Sequence, residues 1–394
     1  MELSKRAKDI SASVTLAITA KAKKLKAEGV NIISFGAGEP DFNTPSNILE
    51  AAEKALNQGL TRYTPASGIS ELKKAICEKL QKENNLIYKE EQIVVSNGAK
   101  HSLYNSLFAI CNENDEVIVP RPYWVSYPEL VKLVGAKPIF VDTPEENDFK
   151  YDIKTLVGAI TPATKAIILN SPNNPTGSVY SKDELLKIAE IAKENNIFII
   201  SDEIYEKLVY DNTKHISIAS LSEDAKQRTI VINGVSKAYA MTGWRIGYSA
   251  SNIEVAKIMA NFQSHATSNP NSIAQYASVE AISGTQVEVN KMIIEFAKRR
   301  DYMVDRVNSI KGLSCRKPKG AFYVMINISD LLGKTINNKN INSSIDLCDA
   351  LLDNAKVAVV PGAGFGSDSY IRLSYATSME NIIEGLDRIE KFIK

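Results

Sequence analysis

The sequence has little of several features that mark particular protein classes. Its 394 residues include only 4 cysteines and 3 histidines, and the cysteines form no CxxC pair. A disulfide framework, a zinc site or any other metal site is therefore not expected. Cysteines spread thinly in this way fit a reducing compartment.

The chain also lacks an excess of charge of one sign and a long apolar run. It has 47 Lys+Arg against 46 Asp+Glu, a formal net charge of +1, whereas general nucleic-acid binders carry a basic excess. Charged residues interrupt the N-terminal segment every few positions, and no run approaches the roughly 18–20 apolar residues of a membrane span. We expect a cytoplasmic protein with neither a nucleic-acid nor a membrane partner.

Short apolar runs rich in β-branched residues alternate with charged segments of helical period through the middle of the chain. Apolar character on both strand faces predicts a mostly parallel sheet covered by helices. We expect strands at Ile93–Ser96, Val117–Val119, Ile139–Val141, Lys165–Leu169, Ile197–Ser201, Thr229–Asn233, Arg245–Ser249, Ala321–Ile326, Val357–Val360 and Tyr370–Ser374.

These elements predict an α/β protein with two domains and an arm. Residues 46–285 are interpreted as one large α/β domain and residues 286–394 as a smaller α+β domain. Residues 1–45 form an N-terminal arm and part of the smaller domain. Helices are expected at about 98–111 and at 181–195, the second beginning with a capping box of Ser181 and Glu184.

Polar residues follow several predicted strands, at the sheet edge where ligands of α/β proteins gather. Gly98 and Ala99 open a helix whose bare N–H groups could bind phosphate, although an ordinary helix cap has the same pattern. Two prolines constrain the loop that holds Asn174, which favours a functional loop over a plain turn. Asp202 ends an apolar strand, so its carboxylate must be paired or strongly hydrogen-bonded, and its partner could be a structural arginine or a cationic ligand atom; Tyr205 lies three residues on.

Lys237 follows another strand among small and apolar residues. Burial would lower its pKa, and a neutral amine can attack a carbonyl carbon. Ser236 and Arg245 could hold a phosphate dianion beside it. A solvated surface lysine is the usual alternative. A reactive lysine, a buried carboxylate and a phosphate site are together the protein parts that pyridoxal 5′-phosphate requires.

At this point the sequence resembles the class I/II aminotransferases of the aspartate aminotransferase fold type (fold type I), and most closely bacterial aspartate aminotransferases, some of which also use prephenate. The resemblance covers most of the chain. It is carried by the segments GAGEPD (36–41), YTPASG (63–68), PYWVSY (122–127), SPNNPTG (171–177), SDEIYE (201–206), SKAYAMTGWRIGY (236–248) and RLSYAT (372–377).

The resemblance implies roles for particular residues around pyridoxal 5′-phosphate. Lys237 would hold the cofactor and move protons, Asp202 would pair with the ring nitrogen, and Tyr205 and Asn174 would hydrogen-bond the ring's phenolic oxygen. Trp124 would stack on the ring. The phosphate and its surroundings would be bound by Gly98, Ala99, Lys100, Ser236, Arg245 and, from the neighbouring subunit of a homodimer, Tyr63.

The substrate would be an amino acid or a 2-oxo acid. Arg372 would clamp its α-carboxylate, with Gly38, Asn174 and Trp124 nearby. Some relatives bind the distal carboxylate of aspartate with a partner arginine, but the segment 261–273 has none. Lys100 and Ser13 or Thr15 are the remaining candidates. Gly234 also replaces a phosphate-binding serine of some relatives.

The resemblance implies transfer of the amino group of L-aspartate to 2-oxoglutarate by a ping-pong mechanism. Prephenate, aromatic amino acids or alanine are alternative substrates, and a C–S lyase or cyclopropane-forming synthase shares the scaffold. A serine hydrolase with Ser236 as nucleophile is a remote alternative, because the final glycine of G-x-S-x-G is missing. An aminotransferase-like regulator would need a DNA-binding module, for which the chain has no room.

Overall fold

Helices and strands alternate along the first three quarters of the chain. The protein is seen in a computed structural model that describes residues 2–4, 8–12 and 14–394. In chain order the elements are α1 (Val14–Ala27), β1 (Ile33–Ser34), α2 (Ser46–Asn57), α3 (Ser70–Asn84), β2 (Ile93–Ser96), α4 (Ala99–Ile110), β3 (Glu116–Arg121), α5 (Ser126–Leu133), β4 (Lys137–Asp142), α6 (Ile153–Gly158), β5 (Thr164–Asn170), α7 (Lys182–Glu194), β6 (Phe198–Asp202), α8 (Glu223–Arg228), β7 (Thr229–Gly234), β8 (Gly247–Ala250), α9 (Ile253–Ala266) and α10 (Ser272–Ser283).

The last quarter begins with a long helix and continues with short strands. Its elements are α11 (Val287–Ser309), β9 (Ser314–Cys315), β10 (Tyr323–Asn327), β11 (Lys334–Ile336), β12 (Lys339–Ile341), α12 (Ser344–Ala350), β13 (Val357–Ala358), β14 (Val360–Pro361), β15 (Tyr370–Ser374) and α13 (Met379–Ile393). Strands β9, β10, β14 and β15 form an antiparallel sheet in the order β14-β15-β10-β9.

Seven strands form the central sheet in the order β2-β8-β7-β6-β5-β3-β4. Strand β8 runs opposite to the other six strands of this sheet, and the pairs that do not include β8 are parallel. The predicted mostly parallel sheet is therefore confirmed. Both faces are buried, as the apolar runs predicted. Along β5, for example, Ala166 and Ile168 pack in one hydrophobic cluster with α4 and α9, while Ile167 and Leu169 pack in another with α7.

The N-terminal part of the chain packs against the C-terminal part. Strand β1 pairs in parallel with β13, with Ile33 opposite Val357, and Phe35 belongs to the same core cluster as Leu386 of α13. The proposed boundaries at 45 and 285 stay a prediction.

The local predictions hold at several places and fail at three. The capping box forms, with the Glu184 carboxylate accepting from Ser181 N at 2.7 Å. The predicted strand 357–360 is wrong as one element, because β13 pairs with β1 and β14 pairs with β15. The strands predicted at 245–249 and 321–326 begin two residues later in the structure, at Gly247 and Tyr323. The reason is that Arg245 and Ala321 have positive φ angles of 61° and 59°, outside the β region.

No helix in the described part of the chain is both long enough and apolar enough to cross a bilayer.

Candidate active site

A cavity of about 340 Å³ opens at the carboxyl ends of the central strands. Because parallel strands end at one edge of a sheet, the side chains after β5, β6 and β7 converge there. The cavity is lined by most of the predicted site residues, namely Gly38, Ala99, Lys100, Trp124, Asn174, Asp202, Tyr205, Ser236, Lys237, Arg245 and Arg372. Positions far apart in the sequence therefore form one site.

Asp202, the last residue of β6, supplies a buried carboxylate. It is 4 % exposed and accepts a hydrogen bond from the hydroxyl of Tyr127 at 2.7 Å and from Ile204 N at 3.3 Å. Burial raises the pKa of Asp202 to about 6, although the hydrogen bond from Tyr127 acts in the opposite direction. The carboxylate has capacity left for one more donor, such as a protonated ring nitrogen.

Lys237 reaches into the same cavity from the turn after β7. Its Nζ donates a hydrogen bond to the backbone oxygen of Gly38 at 2.6 Å. Loss of solvation lowers the pKa of Lys237 to about 8, against the attraction of Glu39. A substantial fraction of this amine is neutral near neutral pH, which is the state that attacks an aldehyde carbon or accepts a proton.

One end of the cavity is built for an anion. Gly98 precedes the 12-residue helix α4, and no side chain caps that helix N-terminus. The guanidinium of Arg245 lies beside it, donating to the backbone oxygens of Thr242 at 2.9 Å and of Asn97 at 3.3 Å. A Cβ at residue 98 would collide with that guanidinium. Helix N–H groups, an arginine and the hydroxyl of Ser236 together suit a phosphate group.

Arg372 and Asn174 lie together at another side of the cavity. The guanidinium of Arg372 is buried and donates to Oδ1 of Asn174 at 2.9 Å and to the backbone oxygen of Gly36 at 3.4 Å. The backbone N–H of Asn174 is itself held by the side chain of Asn170, at 2.8 Å. A fixed, buried guanidinium that faces a cavity is suited to a two-pronged pair with a carboxylate.

The aromatic residues of the site are also held in place. Trp124 makes an edge-to-face contact with Tyr127, with ring centroids 5.3 Å apart, and Nζ of Lys100 lies 4.9 Å from the Trp124 ring centroid. The hydroxyl of Tyr205 lies 3.1 Å from that of Tyr323. Burial and the neighbouring Arg245 lower the pKa of Lys100.

Some predicted residues lie elsewhere or were missed. Tyr63 is 91 % exposed and does not line the cavity of its own chain. Thr15 lines the cavity, whereas Ser13 falls outside the described residues. Tyr127 and Tyr323 were missed as site residues. Tyr127 stands in the PYWVSY segment, but its contact with Asp202 spans 75 positions, and no local pattern indicates such a pair.

A hydrolase triad is not assembled around Ser236. Within the described part of the chain, the Ser236 hydroxyl makes no hydrogen bond with any of the three histidines: His101 accepts from Asn97 N, His215 pairs with Glu203, and His265 is exposed on α9. The chemistry that the cavity supports is therefore that of its lysine, carboxylate and anion cradle.

The chain belongs to the class I and II aminotransferases, since the model of that family matches residues 30–389. It is thus an aminotransferase that depends on pyridoxal 5′-phosphate, as the sequence predicted. Among its relatives is an aspartate aminotransferase of Bacillus sp. (strain YM-2), 50% identical over 392 residues, which cover 100% of this chain and 99% of the relative.

Further comparisons agree with this family. A probable aspartate/prephenate aminotransferase of Aquifex aeolicus is 47% identical, with 100% of this chain and 98% of the relative covered. The crystal structure of an aspartate aminotransferase from Rhizobium meliloti matches with a TM-score of 0.96 at 43% identity, covering 100% of this chain and 99% of the other. That of Thermus thermophilus, determined with maleate, matches at 0.94 and 41%, with both chains fully covered. The predicted fold is confirmed.

The residues of the cavity fit the family's cofactor. The uncapped helix α4 with Arg245 provides donors for a phosphate dianion. The buried carboxylate of Asp202 can accept from a ring N–H, and the amine of Lys237, with its lowered pKa, reaches the same space.

Proposed function

We propose that this enzyme transfers the amino group of L-aspartate to 2-oxoglutarate and yields oxaloacetate and L-glutamate. The observation that carries the proposal is the buried Arg372 guanidinium, held by Asn174 in the cavity that Lys237 enters. The two substrates would bind in turn to this one site, which gives ping-pong kinetics. The names of the relatives support aspartate as the donor.

The proposed cofactor contacts follow the sides of the cavity. Asp202 would accept from the ring nitrogen, Trp124 would cover the ring face, and Asn174 and Tyr205 would donate to the phenolic oxygen. When bound, pyridoxal 5′-phosphate supplies an aldehyde for amines and a ring that withdraws electrons. At the phosphate end the contributors are Gly98, Ala99, Lys100, Ser236 and Arg245.

Lys237 is proposed to bind the cofactor aldehyde and, once free, to take the proton from the substrate α-carbon. Burial lowers the pKa of Lys237 from 10.5 to about 8, which raises the share of neutral amine near neutral pH. The backbone oxygen of Gly38, 2.6 Å from Nζ, orients the amine. The low pKa thus supplies a base without the need for a second titratable group.

The α-carboxylate of the substrate is assigned to Arg372, with Asn174, Gly38 and Trp124 beside it. A distal carboxylate is assigned to Lys100, with help from Thr15, because both residues line the cavity. The segment 261–273 contains no arginine that could do this. Prephenate, which also has carboxylate groups, is a second candidate substrate, favoured by the names of several relatives.

We also propose a cytoplasmic homodimer. Tyr63, at 91 % exposed, is free to reach the phosphate site of a second copy. If so, each cavity is complete only in the dimer. Measurement of the molar mass in solution tests this proposal, and a monomer that is fully active would contradict it.

A screen of amino donors with 2-oxoglutarate tests the proposed reaction. Aspartate should give the highest kcat/KM. Lys237→Ala should lose both the activity and the visible absorption band of the bound cofactor. Higher kcat/KM for alanine or for aromatic donors than for aspartate would contradict the substrate assignment. Release of free ammonia together with pyruvate, without transfer of the amino group to 2-oxoglutarate, would indicate a lyase.

A further inference from the structure

Tyr323 contacts two residues of the proposed site with two different parts of its side chain. It is the first residue of β10 and is 1 % exposed. Its ring centroid lies 4.2 Å from Cζ of Arg372, and its hydroxyl lies 3.1 Å from the hydroxyl of Tyr205. It therefore lies between the residue assigned to the substrate carboxylate and one assigned to the cofactor.

Arg372 depends on aromatic rings for part of its environment. Its Nε is buried and has no hydrogen-bond partner in the described part of the chain. The guanidinium lies against Tyr323 and, at 5.0 Å, against Phe365. A desolvated cation is attracted to ring faces, so the Tyr323 ring both stabilises the charge of Arg372 and fixes the plane of its guanidinium.

The hydroxyl of Tyr323 acts on the other neighbour. If Tyr205 donates to the phenolic oxygen of the cofactor, as proposed, its oxygen can only accept from Tyr323. Arg372 favours this direction, because its positive charge beside the ring makes the Tyr323 hydroxyl a better donor. A hydrogen bond accepted by Tyr205 strengthens the one that Tyr205 donates.

We propose that Tyr323 is a positioning residue with two separable actions: its ring orients Arg372 for the substrate carboxylate, and its hydroxyl polarises Tyr205. This inference rests on the proposed function, which assigns roles to Arg372 and Tyr205. It assigns Tyr323 no contact with the substrate itself.

Two substitutions separate the two actions. Tyr323→Phe keeps the ring and removes the hydroxyl, whereas Tyr323→Leu removes both. Tyr375→Phe is the matched control, since Tyr375 is equally buried and its hydroxyl donates to the backbone oxygen of Ala321 at 3.1 Å, outside the cavity. Circular dichroism and the visible spectrum of each variant check that it is folded and holds its cofactor.

Two measurements on each holoenzyme distinguish the actions. Calorimetric titration with succinate, a dicarboxylate without an amino group, reports on Arg372. We expect a Kd within about twofold of wild type for Tyr323→Phe and Tyr375→Phe but weaker by about tenfold or more for Tyr323→Leu. The pH midpoint of the visible absorption change reports on the donor at the phenolic oxygen. It should rise by about half a unit in both Tyr323 variants, because a weaker donor stabilises the anionic oxygen less.

The ring's action is refuted if Tyr323→Leu binds succinate as wild type does, or if Tyr323→Phe binds it as weakly as Tyr323→Leu. The hydroxyl's action is refuted if the midpoint of Tyr323→Phe equals that of wild type or moves equally in Tyr375→Phe. A wild-type enzyme that fails to transaminate aspartate refutes the proposed function instead. In that case the midpoint measurement, which needs no substrate, still decides on the hydroxyl.

Discussion

Replacement of Asp202 by asparagine should lower activity and at the same time reduce the stability that the cofactor-free protein loses between pH 5 and pH 7. The Asp202 carboxyl has an ordinary pKa of 3.8, which burial raises to about 6 in the folded protein. The folded chain therefore holds this proton more tightly than the unfolded chain does. The contribution of the carboxyl to stability is complete below pH 3.8 and is lost as the pH rises through about 6.

The size of this effect follows from the gap between the two pKa values. A gap of about 2.2 units at 1.36 kcal/mol each corresponds to about 3 kcal/mol of lost stability above pH 7. Between pH 5 and pH 7 the free energy of unfolding should fall by roughly 1.3 kcal/mol more in wild type than in Asp202→Asn. The amide can still accept from Tyr127, so any constant cost of the substitution cancels between the two pH values.

Urea unfolding of the cofactor-free proteins at one fixed protein concentration measures this difference. Asp142→Asn is the control, because hydrogen bonding to Arg121 lowers the pKa of that exposed carboxyl, and its protonation does not change between pH 5 and pH 7. Activity of Asp202→Asn should fall by at least about 10²-fold, since a neutral amide cannot pair with a protonated ring nitrogen as a carboxylate does. If the free energy of unfolding of wild type fell between pH 5 and pH 7 by no more than that of Asp202→Asn, the argument that burial destabilises the charged Asp202 carboxylate would be refuted.

Two further substitutions test the assignments at the substrate end of the cavity. Arg372→Lys should raise the KM for aspartate about 100-fold, because lysine cannot form a two-pronged pair with the α-carboxylate; steady-state kinetics that show an unchanged KM would exclude this role. Lys100→Met keeps the apolar stem and removes the charge, so the KM for aspartate should rise about tenfold more than the KM for alanine, which shares any effect at the cofactor phosphate. An equal rise for both donors would show that Lys100 does not recognise the distal carboxylate.

The sequence determined the central sheet and most of the candidate site. Strands apolar on both faces must be covered by helices, and the ends of parallel strands meet at one edge. The positions of Asp202, Asn174 and Lys237 at or within a few residues of the ends of such strands were therefore sufficient to predict that they lie together, even without knowledge of their contacts.

The side chains that support these residues became identifiable once the three-dimensional packing was known. Tyr127 with Asp202 and Tyr323 with Tyr205 are separated by 75 and 118 positions, and Arg372 with Asn174 by 198. The pairing of β1 with β13 and the left-handed backbone of Arg245 are likewise features that no local pattern indicates. Local sequence cannot specify such features, because they depend on the packing of segments that are far apart in the chain, whereas strand periodicity and helix caps depend on neighbours a few residues away.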